Sequence, residues 1–214
     1  MKNLGHRGTR AVIAAMCLVG VAGTVMAFRQ MARDARIAAP TTPPPPVYGA
    51  LPPFALTRET GESVSADDLR NRIWIADFVF TRCAGPCPRM TQAFHDLQQR
   101  FAQLPGIALV SISVDPEYDT PQVLARYARD YAADPARWMF LTGDRDAIYN
   151  LSIKGFKLAV DTGEDYEHMI LHSTKAVLID GSLRIRGYYD VLEPDGPDKL
   201  SADVRALRRE AGLP

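Results

Sequence analysis

The sequence is poor in the features that announce the commonest chemistries. Only three cysteines occur in 214 residues, so no disulfide framework holds the chain together. Basic and acidic residues balance at 25 each, which removes any electrostatic reason to expect nucleic acid or a strongly charged partner. No phosphate-cradling glycine loop follows a strand pattern, and no internal repeat is visible. What remains is ordinary globular composition, 47% hydrophobic and 23% charged, at a length that suits one domain plus an appendage.

Charge is also missing, locally, from residues 11–28 (AVIAAMCLVGVAGTVMAF). At 1.5 Å rise per residue this run spans about 27 Å, close to the hydrocarbon core of a bilayer. Lys2, Arg7 and Arg10 precede it and Arg29, Arg33 and Arg36 come after it, so the basic residues set no orientation. Val25-Met26-Ala27 also fits a cleavage site, but the run is longer than a usual signal core, and an uncleaved anchor over residues 1–30 is the expectation. Either reading exports the rest of the chain. Cys17, in mid-run, is read as an apolar packing residue.

Residues 31–53 read as a linker. Seven of the sixteen prolines fall in residues 40–53, a composition that favours extended polyproline geometry and a stiff spacer. The folded domain is expected over residues 54–214. Ile73–Phe80 is a nearly continuous apolar run, as in a strand buried on both faces. Met90, Phe94, Leu97 and Phe101 are spaced for one helix face within 90–103. Ala108–Val114 predicts a second strand. Thr120 caps a helix with Pro121 at its first position. Trp138–Leu141 predicts a third strand and Asp144 a further helix start. Asp180-Gly181 signals a hairpin between Ala176–Ile179 and Leu183–Tyr189, and a last helix covers Lys199–Ala211. This order predicts an α/β sheet with helices on both faces.

Chemistry concentrates where the first apolar strand ends. Cys83 and Cys87 stand four apart at a strand-to-helix turn, the edge at which open α/β sheets bind ligands. Unpaired N–H groups and the helix dipole favour thiolate there, so at least one thiol is expected to be more acidic than usual. Thiolates attack disulfides and are soft metal ligands. The three intervening residues depart from the two of a thioredoxin-type redox motif and leave room for both sulfurs to meet on a third body. Two sulfurs are an incomplete site for most metals. Of the four histidines, His6 and His95 are poorly placed. His172 closely precedes the strand at 176, and His168 competes with it.

FVFTRCAGPCPRM, VSISVDPEYDTP, FLTGD and LHSTKAVLIDGSLRIRGYYD occur in that order. Over roughly residues 50–192 the chain resembles the Sco/SenC family of copper-binding assembly proteins for cytochrome c oxidase. The resemblance implies a thioredoxin-like fold, a central mixed sheet with helices on both faces, behind a transmembrane anchor. It implies copper, as Cu(I) or Cu(II), on Cys83, Cys87 and His172. The implied role is a membrane-tethered metallochaperone at the inner membrane, single-pass, with its domain facing the periplasm. The implied partners are the copper-bearing oxidase subunit and a thiol reductant or another copper carrier, with no nucleic acid. The alternative is a thiol–disulfide reductase using Cys83 and Cys87 as its redox pair. Two departures stand out: Ala84 replaces a proline frequent in the family, and Leu171 replaces an aspartate that would support the imidazole.

Two acidic positions complete the reading. Asp77 lies in an apolar strand and reads either as a buried carboxylate near the cysteines that moves thiol protons or, preferably, as a solvated residue at the sheet edge. Asp115 and Asp119 are expected to shape a turn. Trp74, Trp138, Tyr127 and Tyr131 fit core packing.

Overall fold

In a computed structural model the chain is described at residues 23–28, 30, 43–158 and 174–213. It divides into two units, Met1–Thr41 and Thr42–Pro214. In the first, residues 23–28 are helical. Among the described residues no helix is long and apolar enough to cross a membrane; residues 11–22 of the apolar run lie outside them.

The second unit is built on one eight-stranded sheet. Its strands are β1 (Gly49–Ala50), β2 (Ala55–Arg58), β3 (Ser63–Ser65), β4 (Ile73–Val79), β5 (Ile107–Ser113), β6 (Trp138–Thr142), β7 (Lys175–Ile179) and β8 (Arg184–Asp190). They lie in the order β1-β8-β7-β4-β5-β6-β2-β3. β4 is parallel to β5, and β5 to β6, while β7 pairs antiparallel with β4. The helices are α1 (Cys87–Arg100), α2 (Pro121–Asp130), α3 (Arg145–Asn150) and α4 (Gly196–Glu210).

Side chains alternate across a strand, so a strand that is apolar throughout feeds two cores. Trp74, Ala76 and Phe78 of β4 join Ala108, Val110 and Ile112 of β5 on one face, with Ile148 of α3 and Phe156. Ile73 and Ile75 face the other way, into a core with Phe94 of α1, Leu124 of α2, and Leu200, Val204 and Leu207 of α4. Trp138 and Phe140 of β6 complete that second core. Each fully buried Leu, Ile or Phe contributes roughly 1.5–3 kcal/mol relative to exposure. Helices thus cover both faces, as the order of apolar segments predicts. The strands and helices anticipated between residues 73 and 211 form, with ends shifted by a few residues.

The structure differs from expectation in three places. Asp77 is 0% exposed, not solvated, because β4 lies between β5 and β7 and has no free edge. The Asp180-Gly181 turn forms, but the residue with positive φ is Leu183, at 62°. Gly181 is needed for room instead: a Cβ there would stand 3.0 Å from the Cα of Asn71. Finally, part of the proline-rich stretch belongs to the folded unit. Pro45 is buried, its carbonyl accepting from Arg186 Nε and Nη2 at 3.0 and 2.7 Å. β1 then pairs with β8. Polyproline backbone has no partner of its own, so a buried arginine with five donors can hold it as a strap.

Candidate metal centre

β4 delivers the chain to the C-terminal edge of the sheet, where a turn carries the first cysteine. The Cys83 N–H bonds the Phe80 carbonyl at 3.2 Å, closing that turn. Helix α1 then starts at Cys87, with Pro86 at its cap and a proline in its first turn. Proline suits these positions because the first helical N–H groups have no intrahelical partner to lose. Both cysteines are free; Cys83 is half-buried and Cys87 buried. The Gly85 N–H points at Cys83 Sγ from 3.3 Å. The two thiols are close enough for Cys83 to act electrostatically on Cys87.

Burial pushes the Cys87 thiol up to about 12, the neighbouring Cys83 pushes the same way, and a hydrogen bond with the Phe80 backbone only partly opposes them. The extra acidity expected of a thiol at a helix N-terminus is therefore not found at Cys87. Desolvation penalises the thiolate more than the helix end favours it. A soft cation held between the sulfurs would reverse that balance, because it would supply the missing opposite charge. One accessible and one buried sulfur, adjacent and unoxidised, is a donor pair that fits a thiophilic ion.

The third expected ligand, His172, lies outside the described residues, as do His168 and His6. Among the described residues no group of three His, Cys, Asp or Glu side chains is arranged to hold a metal. His95 sits on α1 with Nδ1 3.0 Å from the Tyr131 carbonyl, a structural contact away from the cysteines.

Beneath the cysteine turn the apolar sheet carries a polar strip. Asp77 pairs in register with Ser111, and Val79 with Ser113. Ser111 Oγ donates to Asp77 Oδ1 at 2.6 Å and accepts from Trp138 Nε1 at 2.9 Å. Asp77 Oδ2 has no partner among the described residues. Burial raises this carboxyl to about 7, against the smaller pull of Ser111. Asp119, also fully buried, accepts from Thr81 and Ser113. The turn expected at Asp115 and Asp119 is present, with the Asp119 N–H bonded to the Asp115 carbonyl at 2.8 Å. Arg82 grips Asp115 Oδ2 with Nε and Nη2 at 3.0 and 2.6 Å and stacks over the Tyr118 ring at 4.3 Å. A cleft of about 250 Å³ beside this turn is lined by Phe80, Arg82, Asp115 and Arg145 among others. Sequence reasoning passed over Ser111 and Ser113. Their signal is the alternation in residues 110–114, which puts both hydroxyls on one face of a strand otherwise fit for a core.

Comparison with known proteins gives the family and the fold. The family described as SCO1/SenC matches residues 45–209, starting at the residue that Arg186 clasps. A Bacillus subtilis protein named SCO1 protein homolog is 32% identical over 163 residues, covering 75% of this chain and 84% of its own. The structure of BsSco, described as a member of the Sco family of cytochrome c oxidase assembly proteins with a disulfide switch, is 30% identical with a TM-score of 0.67, covering 78% of this chain and 98% of that one. A SCO1/SenC family lipoprotein from Bacillus anthracis is 29% identical, with a TM-score of 0.66 and coverage of 74% and 95%. Arabidopsis thaliana ScoI, solved with copper bound, is 24% identical with a TM-score of 0.60 over 75% of this chain and 99% of that one, a likeness of fold.

Proposed function

The chain belongs to the SCO1/SenC family, and we propose that it carries copper on Cys83 and Cys87, with His172 as third ligand, and passes it to the copper-bearing subunit of cytochrome c oxidase. The observation that supports this reading most is the adjacency of two free sulfurs at the sheet's C-terminal edge, one of them buried. Thiolates suit Cu(I), and an imidazole extends the set toward Cu(II). Cys83 is the more exposed sulfur and the one a partner's ligand meets first. Cys87, held in the first turn of α1, keeps the ion at the protein while Cys83 exchanges.

The apolar run 11–28 is proposed as an anchor that keeps the domain at the outer face of the inner membrane. Because the chain from Pro45 onward is bound to Arg186 and β8, that part of the proline-rich stretch adds no reach to the proposed tether.

The asymmetry of the pair also supports a second reading, thiol–disulfide exchange, in which Cys83 attacks and Cys87 resolves. His172 separates the two. In full-length protein, one copper per chain is expected for wild type, none for Cys83→Ser or Cys87→Ser, and at least about tenfold weaker binding for His172→Ala, which keeps its dithiol reactivity. Unchanged copper content and spectrum in His172→Ala would remove that ligand from the site, whereas a wild type that binds no copper while keeping its dithiol reactivity would leave the reductase. The same full chain is expected in the membrane fraction, open to protease added from the periplasmic side; protection there sinks the topology.

A further inference from the structure

The two residues that lead into Cys83 are held from a different segment. Thr81 donates its backbone N–H to Asp119 Oδ2 at 3.1 Å and its hydroxyl to Asp119 Oδ1. Asp119 is 0% exposed and accepts a third bond, from Ser113 Oγ at 2.6 Å. Ser113 Oγ in turn accepts the Asp115 N–H at 3.1 Å. Next in sequence, Arg82 is bonded twice to Asp115. The turn after β5 therefore grips the approach to the first cysteine, while the second cysteine is set by helix α1. Between them Ala84 and Gly85 are exposed. The distance between the sulfurs is thus set by two anchors, and Asp119 is the buried member of the upstream one.

We infer that Asp119, acting through Thr81, is a positioning residue that holds Cys83 beside Cys87 and so sets how readily the two sulfurs close on each other or on one metal ion. Neither Asp119 nor Thr81 needs to touch the metal. A carboxylate that accepts an N–H and a hydroxyl from one residue fixes that residue's backbone and side chain together, through charge-assisted bonds. Fixing one thiol near another raises its effective concentration at the reacting partner. This inference rests on the reading of Cys83 and Cys87 as the working pair, but not on copper.

The thiol–disulfide equilibrium reads the effect directly. With oxidised glutathione, the Cys83 and Cys87 thiols give up two protons and two electrons, their Sγ–Sγ bond forms, the glutathione disulfide bond breaks, and two molecules of glutathione thiol are released. Full-length wild type is compared with Thr81→Val, Thr81→Ser, Asp119→Asn and, as a distant core change, Val204→Ala. Thr81→Val and Asp119→Asn are expected to lower the equilibrium constant for disulfide formation at least about threefold. Thr81→Ser, which keeps the hydroxyl, is expected within about twofold of wild type. Val204→Ala is expected to lower the unfolding midpoint and leave the equilibrium where it was. If Thr81→Val does not fold, Asp119→Asn carries the test. The inference is overturned if the folded variant stays within about twofold of wild type, or if Val204→Ala shifts the equilibrium as far. Copper titration of the same samples keeps the two readings apart. Wild type that binds no copper, with the variant shift intact, sinks the carrier and not the positioning. Copper bound equally by all, with no shift, sinks the positioning alone.

Discussion

Two buried carboxylates stand at opposite ends of the sheet and meet opposite fates. Asp77 is near the end of β4, under the cysteine turn, and Asp180 is in the β7–β8 turn beside the start of β4. Both are almost wholly removed from water, at 0% and 6% exposure. Asp77 has one neutral donor, Ser111, and burial raises it to about 7. Burial pushes Asp180 up as well, but Arg186, the Arg184 and Ser182 N–H groups and the Arg184 side chain outweigh it and hold it below the usual carboxylate range. Arg186 is itself saturated: its Nη1 and Nη2 reach Asp180 and Glu210 at 2.8 and 2.6 Å, and the Pro45 carbonyl takes the rest. Burial alone does not decide charge; the partners do. One end is locked, and the other is left electrostatically unsettled where the sulfurs sit.

The contrast can be broken most forcefully at the locked end. Arg186→Met removes the cation and leaves Asp180 buried without its main partner and the strap without its anchor. A loss of about 3–5 kcal/mol in urea unfolding at pH 7 is expected, as for other buried pairs deprived of one member. A loss below about 1 kcal/mol would mean that the lock is incidental.

Asp77→Asn tests the other end, with the opposite sign. A carboxyl whose folded value lies above its unfolded 3.8 binds its proton more tightly when folded. Its contribution is full below the unfolded value of 3.8 and is lost as pH rises through about 7. Wild type is therefore expected to lose stability across that window, by at most about 4 kcal/mol, and Asp77→Asn to lose much less. Asp180 acts in reverse: its stabilisation is present above its unfolded value and fades only as pH falls below the ordinary carboxylate range. Identical pH profiles for wild type and Asp77→Asn would show that Asp77 stays ionised when folded.

The smallest effect sharpens the difference between buried and exposed partners of one carboxylate. Arg184 reaches Asp180 Oδ2 at 2.8 Å, as Arg186 does, but its side chain is 42% exposed. Arg184→Ala is expected to cost about 0.5–1 kcal/mol, and less in high salt. A cost equal to that of Arg186→Met would mean that desolvation is not what distinguishes them.

Much of the domain was legible in the residues. The apolar run of β4, the Thr120-Pro121 helix start and the Asp180-Gly181 turn each obey a local rule, so each is readable from a few neighbours. The Thr120 cap is realised as an acceptor for the Val123 N–H. The short β1, β2 and β3 were not readable, because they are edge pieces whose pairing with β8, with β6 and with each other supplies what their own residues do not. Asp77 was misplaced for a related reason: its strand's polarity pattern does not say whether neighbours flank it on both sides.

The sequence by itself determined that two cysteines would stand at a strand-to-helix turn, since strand, turn and helix signals crowd into one short stretch. It also determined the alternation of apolar segments that makes an α/β sheet. Only the tertiary structure decided which sulfur is buried, that Asp119 grips Thr81 across 38 positions, and that Arg186 holds Asp180 ionised while burial raises Asp77. Those outcomes depend on dielectric surroundings and on partners brought from distant segments. Neither is a property of a residue and its neighbours in the chain; both arise only when the sheet assembles.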